Sequence, residues 1–397
     1  MASHTDATIS SPTLFDYQQR TRIVFGINTV ERLGELAAEL AARRVLLVTD
    51  PGIVSAGHAA RVITLLEHHG FKVACFDQVE ENPSTKCVER CVEVARLLSI
   101  DTIVGLGGGS SMDTAKGCNF ILTNGGQMKD YWGIGKAKVS MLPLIAIPTT
   151  GGTGSECQSF ALITDESTHQ KMACGDPKAA ARIAILDPAL TLSQPPQVTA
   201  CSGIDAIAHA VETAVTKRRT PLSLIFSREA FRLAIAGLPR VLKSPSDIEA
   251  RGWMLLSAAL GGIAIENSML GAAHSAANPL TAHFGTPHGK AVGLMLPHIV
   301  RFNAVDPDAA RTYAELAVTA GISSPAEPAS VAAENLAAHL ERLLDLAGLP
   351  RTLKDCGAHN GDIAKLANEA SSQWTAQFNP RAVAIADFEQ LYARALN

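Results

Sequence analysis

Between residues 21 and 188 the chain alternates short, continuous apolar runs with longer amphipathic stretches, and this alternation restricts its fold more than any other feature. Residues 21–25, 44–49, 71–76, 101–106, 142–148 and 183–188 read as strands, and 30–42, 58–69, 84–98 and 112–123 read as helices. Strands without polar alternation bury both faces, and helices of this length provide the crossovers that parallel neighbours need. A parallel sheet covered on both sides is the expectation. After residue 188 the strand-like runs largely vanish. Ala/Leu-rich helical periodicity takes over at 198–215, 223–238, 248–265, 269–282, 307–318, 329–346, 363–369 and 387–395. With 397 residues the chain can build two cores. Their boundary falls at 188–196, around Pro195-Pro196, giving an α/β domain over 1–190 and an all-helical domain over 191–397.

A formal net charge of −4 offers no basic footprint for nucleic acid or anionic lipid, and Lys217-Arg218-Arg219 reads as a solvated helix end. Residues 1–12 are polar and read as loose, without the basic and apolar regions of a secretory signal. No uninterrupted apolar run approaches the ~20 residues of a membrane span. The eight cysteines form no CxxC pair and lie mostly in apolar stretches, as free thiols do in a reducing compartment. Cys87 and Cys91 share a helix face, but two thiols do not make a zinc site. A soluble cytoplasmic protein is expected.

Two loops follow buried strands. Gly107-Gly108-Gly109-Ser110-Ser111-Met112-Asp113-Thr114-Ala115-Lys116 runs from a strand into a helix, where bare backbone N–H groups and the helix dipole can hold a phosphate. It is neither GxGxxG nor a Walker A loop, and three glycines can also be only a tight turn. Pro148-Thr149-Thr150-Gly151-Gly152-Thr153-Gly154-Ser155-Glu156 presents hydroxyls and amides suited to ribose, pyrophosphate or a nicotinamide amide. Ligands of open α/β sheets bind at the carboxyl ends of the strands, which favours one ligand for both loops. Asp50 ends an early strand. A carboxylate there accepts from ribose hydroxyls and repels a 2′-phosphate, so NAD is expected ahead of NADP, although Asp50-Pro51-Gly52 is also sound turn chemistry.

Asp205 and His209, in Gly203-Ile204-Asp205-Ala206-Ile207-Ala208-His209-Ala210-Val211-Glu212, project from one helix face at i and i+4. His274 in Gly271-Ala272-Ala273-His274 and His288 in Thr286-Pro287-His288-Gly289 belong to further elements, so four ligands can converge on one ion. One carboxylate and three imidazoles suit Fe²⁺, Zn²⁺, Mn²⁺ or Ni²⁺. Imidazoles in such small, apolar surroundings need a partner against desolvation. For His283 and His298 an ordinary hydrogen-bonded role is the better reading, and more so for His4, His58, His68, His69, His169, His339 and His359.

These blocks together, in this order and across essentially the whole chain, resemble the iron-containing (group III) alcohol dehydrogenases. The resemblance implies an N-terminal nucleotide-binding α/β domain and a C-terminal all-helical domain, an architecture shared with dehydroquinate synthase, with the active site in the cleft between them. It implies Asp205, His209, His274 and His288 as ligands of Fe²⁺. Gly108, Gly109 and Ser110 fall on the pyrophosphate contacts and Asp50 on the adenosine ribose. Thr149, Thr150 and Thr153 fall on the cofactor, Asn82 near the adenosine side, and Lys171 and Leu186 along the nucleotide cleft. Phe160 and Ile265, within or beside the matching blocks, are candidate apolar pocket walls. A homodimer or larger homo-oligomer is implied.

The implied reaction is NAD-dependent interconversion of a small alcohol and its aldehyde or ketone. Alternatives are a reductase of a functionalised carbonyl (hydroxy acid, semialdehyde or maleylacetate) and a lyase of the dehydroquinate-synthase type. The intact ligand set argues against maleylacetate reductases, and no basic phosphate pocket is evident for the lyase. This chain departs from the common pattern at two positions. Asn278 stands where many members carry a second histidine, four residues after the third ligand, so a proton relay there must run through water or ribose hydroxyls. Gln158 stands where a threonine usually contacts the cofactor.

Overall fold

The computed structural model describes residues 14–166 and 170–397; the polar opening at 1–12, His4 and His169 lie outside them. The strands are β1 (Arg22–Phe25), β2 (Arg44–Val48), β3 (Lys72–Phe76), β4 (Thr102–Gly107), β5 (Gly133–Ile134), β6 (Leu144–Pro148), β7 (Phe160–Thr164), β8 (Lys171–Gly175) and β9 (Ile183–Leu186). Among them run α1 (Leu33–Glu39), α2 (Pro51–Ser55), α3 (His58–His68), α4 (Thr85–Leu97) and α5 (Gly109–Asn124). Six strands form one sheet in the order β1-β9-β6-β4-β2-β3, and every pairing in it is parallel.

Successive residues of a strand point to opposite faces, and the two faces of this sheet build separate cores. Leu46, Val48, Ile103 and Ala146 meet Cys87, Val88, Cys91, Met112 and Ala115 of α4 and α5. Val45, Leu47, Val104 and Ile145 meet Leu33, Leu36, Val62 and Leu66 of α1 and α3. The continuous apolar runs therefore have the cause assumed for them: both faces are covered.

The sequence reading missed the three-stranded sheet, ordered β5-β8-β7 with β7 and β8 antiparallel. Its strands carry Ala161, Lys171, Ala173 and Gly175, residues depleted in strands, and cross-strand pairing supports them. At Asp50 the chain does not merely turn. The carboxylate caps the short α2, its Oδ1 accepting from Ile53 N at 3.1 Å, with Pro51 at the first helical position.

From Pro196 onward the described chain is helical: α6 (Pro196–Thr213), α7 (Pro221–Lys243), α8 (Ile248–Ser268), α9 (Ala272–Phe284), α10 (His288–Asn303), α11 (Pro307–Thr319), α12 (Ala329–Leu346), α13 (Ile363–Ser371) and α14 (Ile385–Ala395). Two differences from the sequence reading matter. Helix α9 starts at Ala272 rather than 269, because Met269 ends α8 in a left-handed conformation at φ 68°. Helix α10 was not anticipated; it opens at His288-Gly289 and contains Pro297, and glycine and proline both count against a helix locally. Helix α8 is long and apolar enough to cross a membrane, yet most of it is buried in the core, where Ala259 packs against Ala184 and Leu186 of the sheet.

The loop after β6 presses its glycines against the helical domain. A Cβ on Gly154 would lie 2.3 Å from Ala258 O, and one on Gly262 would lie 2.2 Å from Gly154 O. Backbone meets backbone at this crossing, so these glycines join the domains as well as leaving amides free for a ligand.

Candidate active site

The site starts on α6. Asp205 and His209 lie one turn apart, and His209 Nε2 stands 3.5 Å from Asp205 Oδ1. The third residue of α9 is His274, whose Nε2 is also 3.5 Å from that oxygen. His288 opens α10 and brings its Nε2 to 3.9 Å. Asp205, His209 and His274 are buried, and the rings of His274 and His288 lie 5.2 Å apart. Asp205, His209 and His274 thus bring ligand atoms within 4.8 Å of one another, and His288 approaches the same carboxylate oxygen from a third helix.

What holds the imidazoles identifies the purpose of the arrangement. His274 Nδ1 is bound to Glu212 Oε2, whose other oxygen accepts from Ala273 N at 2.7 Å. His209 Nδ1 stands 3.2 Å from Gly152 O. A ring whose Nδ1–H is donated outward keeps the Nε2 lone pair for the centre, the usual support of a metal-bound histidine. Among the described residues, Asp205 Oδ1 and His274 Nε2 have no hydrogen-bond partner although both are buried. Orphaned acceptors of this kind fit a divalent cation.

The electrostatics agree. Burial works against ionised Asp205, but His209 and the neighbouring imidazoles outweigh it and hold the carboxyl well below its usual range. Burial pushes His209 down, and His288 down to about 3, which keeps both rings neutral as ligands. At His274 burial is overcome, chiefly by Glu212, and the pKa rises to about 9, so in the absence of an ion this ring is protonated at neutral pH and a metal would have to displace its Nε2 proton.

At the carboxyl ends of β2, β4 and β6 the candidate cofactor residues gather. Gly108 caps α5, and a Cβ on Gly109 would lie 2.8 Å from Thr153 Cγ2, so the second loop lies directly across the first. A Cβ on Gly108 would lie 3.5 Å from Thr150. Thr149 is buried, its N–H donating to Gly107 O at 2.9 Å. Asp50 accepts from Ser111 Oγ at 3.3 Å. Asn82, left-handed at φ 52°, donates its N–H to Ser110 Oγ at 3.2 Å and accepts from Lys171 Nζ at 3.1 Å. Burial lowers the Lys171 pKa, opposed by Asp113 and Asp205, so the ammonium feels both the glycine-loop helix and the metal centre.

Leu186 is fully buried between the sheet and α8 and is not brought to an open cleft. Phe160 packs with Ala173 and Met269 and against Trp374, the two rings 5.7 Å apart. Ile265 is buried one turn before Met269. Gln158 donates to Thr153 O at 2.8 Å and so braces the second loop. Asn278, half-buried on α9, donates to Gln373 Oε1 at 2.9 Å.

Sequence reasoning missed several supports. Glu212 stands seven residues beyond Asp205 and three beyond His209, a helical spacing that could have been read. Gly152 O and Gln373 left no such signal. Behind the glycine loop Lys116 is wholly buried and donates to Ser155 O, Ser155 Oγ and Phe160 O at 2.6, 2.9 and 2.9 Å. Ser155 Oγ donates in turn to Asp113 at 2.9 Å. Beside it Glu156 is buried with Oε1 unpartnered, and burial raises its pKa to about 7. A carboxyl with a raised folded-state pKa destabilises the protein progressively as pH climbs from its ordinary value, near 4.5, toward 7. Glu156→Gln removes that charge and should gain stability at pH 8, by up to about 3 kcal/mol, with little gain at pH 4.5. Chemical denaturation at both pH values checks this; equal effects at both would show that folding does not raise the Glu156 pKa.

Known proteins bear on this arrangement. The family described as "Iron-containing alcohol dehydrogenase" matches residues 20–188, and its C-terminal counterpart matches 199–396. The NAD-dependent methanol dehydrogenase of Bacillus methanolicus is 33% identical over 375 residues, covering 94% of this chain and 97% of that protein. The choline dehydrogenase of Bacillus subtilis is 35% identical over 381 residues, 95% of this chain and 94% of that one. The crystal structure of a 1,3-propanediol oxidoreductase superposes with a TM-score of 0.93 at 31% identity, covering 97% of this chain and 100% of its own.

Proposed function

The chain belongs to the iron-containing alcohol dehydrogenase family, and from that premise we propose that Asp205, His209, His274 and His288 hold the metal of an NAD-dependent alcohol dehydrogenase acting on a small alcohol. The observation that carries the assignment is the convergence of three imidazole Nε2 atoms on Asp205 Oδ1, with Nδ1 of His209 and His274 engaged from behind. A divalent ion, Fe²⁺ by family with Zn²⁺, Mn²⁺ or Ni²⁺ as substitutes, supplies Lewis-acid polarisation of the alcohol oxygen when bound.

The chain's own residues do the rest. Glu212 and Gly152 O keep two ligand rings in the required tautomer. Gly108, Gly109 and Ser110, at the start of α5, receive the pyrophosphate, and Asp50, Asn82, Thr149, Thr150, Thr153 and Lys171 surround the remainder of the cofactor. The loop at 149–154 is packed closely against α6 and α8, so it would hold one wall of the space between a bound nicotinamide and the metal ligands. Division of labour follows the secondary structure: residues 1–190 form the nucleotide domain and 191–397 the metal-bearing one. The continuous match of both family segments supports that division. The protein works in the cytoplasm as a homodimer or larger homo-oligomer, for which free cysteines and family membership are the support.

The test loads the protein with Fe²⁺ or Zn²⁺, adds NAD and a panel of short alcohols, and follows NADH absorbance. Absence of turnover with every alcohol and metal would defeat the proposal. Asp50→Gly should lower the NAD-over-NADP ratio of kcat/KM roughly tenfold by removing the charge that opposes a 2′-phosphate. A wild-type enzyme that prefers NADP would overturn the role of Asp50.

A further inference from the structure

Helix α9 begins at Ala272, just before His274, and the way its first turn is held singles out a residue that no motif marks. The first N–H groups of a helix have no partner within it, and Gly271, at the N-cap, brings no side chain to meet them. Two buried residues from elsewhere do so. Glu212 Oε1 accepts from Ala273 N at 2.7 Å, and Asn379 Oδ1 accepts from Ala272 N at 3.3 Å. A Cβ on Gly271 would lie 3.1 Å from the first oxygen and 3.0 Å from the second, so glycine leaves room for both.

Both N–H groups and the oxygen of the Asn379 amide are engaged. Its Nδ2 donates to Arg381 O and to Asn303 Oδ1, each at 2.7 Å, and its Oδ1 accepts from Asn303 Nδ2 at 3.1 Å as well as from Ala272. Asn303 Nδ2 donates also to Tyr313 Oη at 3.2 Å. A backbone donor on one side and a backbone acceptor on the other decide which way the Asn379 amide faces. Asn303, Tyr313 and Asn379 are buried, so unpairing any of these groups is costly.

The segment around Asn379 reaches all three helices that carry the candidate ligands. Phe378 O accepts from Lys217 N, just past the end of α6, at 2.8 Å. Thr375, in the short 3-10 helix Trp374–Phe378, shares a hydrogen bond with Ser275 of α9 at 2.7 Å. Asn303 is the last residue of α10, and Arg381 Nη1 donates to Phe302 O at 3.1 Å. On α9 the two contacts fall on either side of His274.

We propose that Asn379 is a positioning residue of the metal centre: it caps α9 while bonded to the end of α10, and so fixes the turn that carries His274. The inference rests on the metal-centre reading. Glu212 holds this turn to α6 and Asn379 holds it to α10, so the two acceptors fix it from two helices. His274 Nε2 stands 3.5 Å from Asp205 Oδ1, and a metal's ligand distances tolerate only about 0.2 Å. A turn free to rotate or lengthen would carry the ring nitrogen out of that range.

The experiment measures Zn²⁺ affinity by competition with a chromophoric chelator, and the visible spectrum of Co²⁺-loaded protein, each well below the melting temperature. Asn379→Leu keeps similar size but leaves Ala272 N without its acceptor. It should bind Zn²⁺ about tenfold more weakly and shift the Co²⁺ bands, with NADH affinity unchanged. Leu336→Ala, in the core face of α12, is the destabilised control. It should lower the melting temperature without moving Zn²⁺ affinity or the Co²⁺ spectrum. If Asn379→Leu fails to fold, Thr375→Val removes the segment's other bond to the first turn without changing shape, and should weaken Zn²⁺ binding by less, about threefold. Wild-type affinity and spectrum in the variant, or a control that loses affinity in step with its stability, would overturn the inference while leaving the metal centre intact. If wild type itself binds neither Zn²⁺ nor Co²⁺ stoichiometrically, the metal-centre reading falls and the inference with it.

Discussion

Asp205→Ala should give a folded protein that still binds NADH but retains no stoichiometric metal and oxidises alcohols at least roughly a thousandfold more slowly. Asp205 Oδ1 is the point on which the three imidazoles converge, at 3.5, 3.5 and 3.9 Å. Without it the anionic share of the ligand field is gone, and three neutral imidazoles hold a divalent ion less tightly. Polarisation of the alcohol oxygen is worth several kcal/mol, and each 1.4 or so is tenfold in rate, which gives the expected factor. The candidate nucleotide residues lie on the other domain, so cofactor affinity should change little. Metal analysis, NADH fluorescence titration and steady-state rates on one preparation decide the matter. Full activity without metal would end the assignment, and His274→Ala should behave in the same way.

Glu212→Leu is the second large effect. Glu212 is buried, binds His274 Nδ1 with one oxygen and accepts Ala273 N with the other. Leucine fills similar space but leaves both donors unpaired, and His274 loses the group that sets its tautomer and ring orientation. Metal affinity should fall roughly 100-fold, with excess metal restoring most of the rate. Glu212→Gln keeps acceptor capacity toward these donors and should lose less. A leucine variant with wild-type metal affinity would show that Glu212 only fills the core.

The distance dependence of what could be read explains where sequence reasoning stopped. Asp205 and His209 were legible because helical spacing places them on one face before any tertiary contact exists, and Glu212 obeyed the same rule without being taken up. Helix α10 escaped because Gly289 and Pro297 count against a helix locally, whereas burial of Val292, Leu294, Met295 and Ile299 overrides them. Strands β7 and β8 escaped because their stability comes from pairing each other.

Local periodicity and glycine placement determined, from the sequence alone, a parallel sheet and the helical second half, and they singled out the candidate residues for phosphate and metal. Only the tertiary structure decided that Gly154 touches Gly262, that Gly152 O braces His209, and that Gln373 reaches Asn278 across 95 positions of chain. Contacts of that kind depend on how separate elements pack, and no local propensity encodes them.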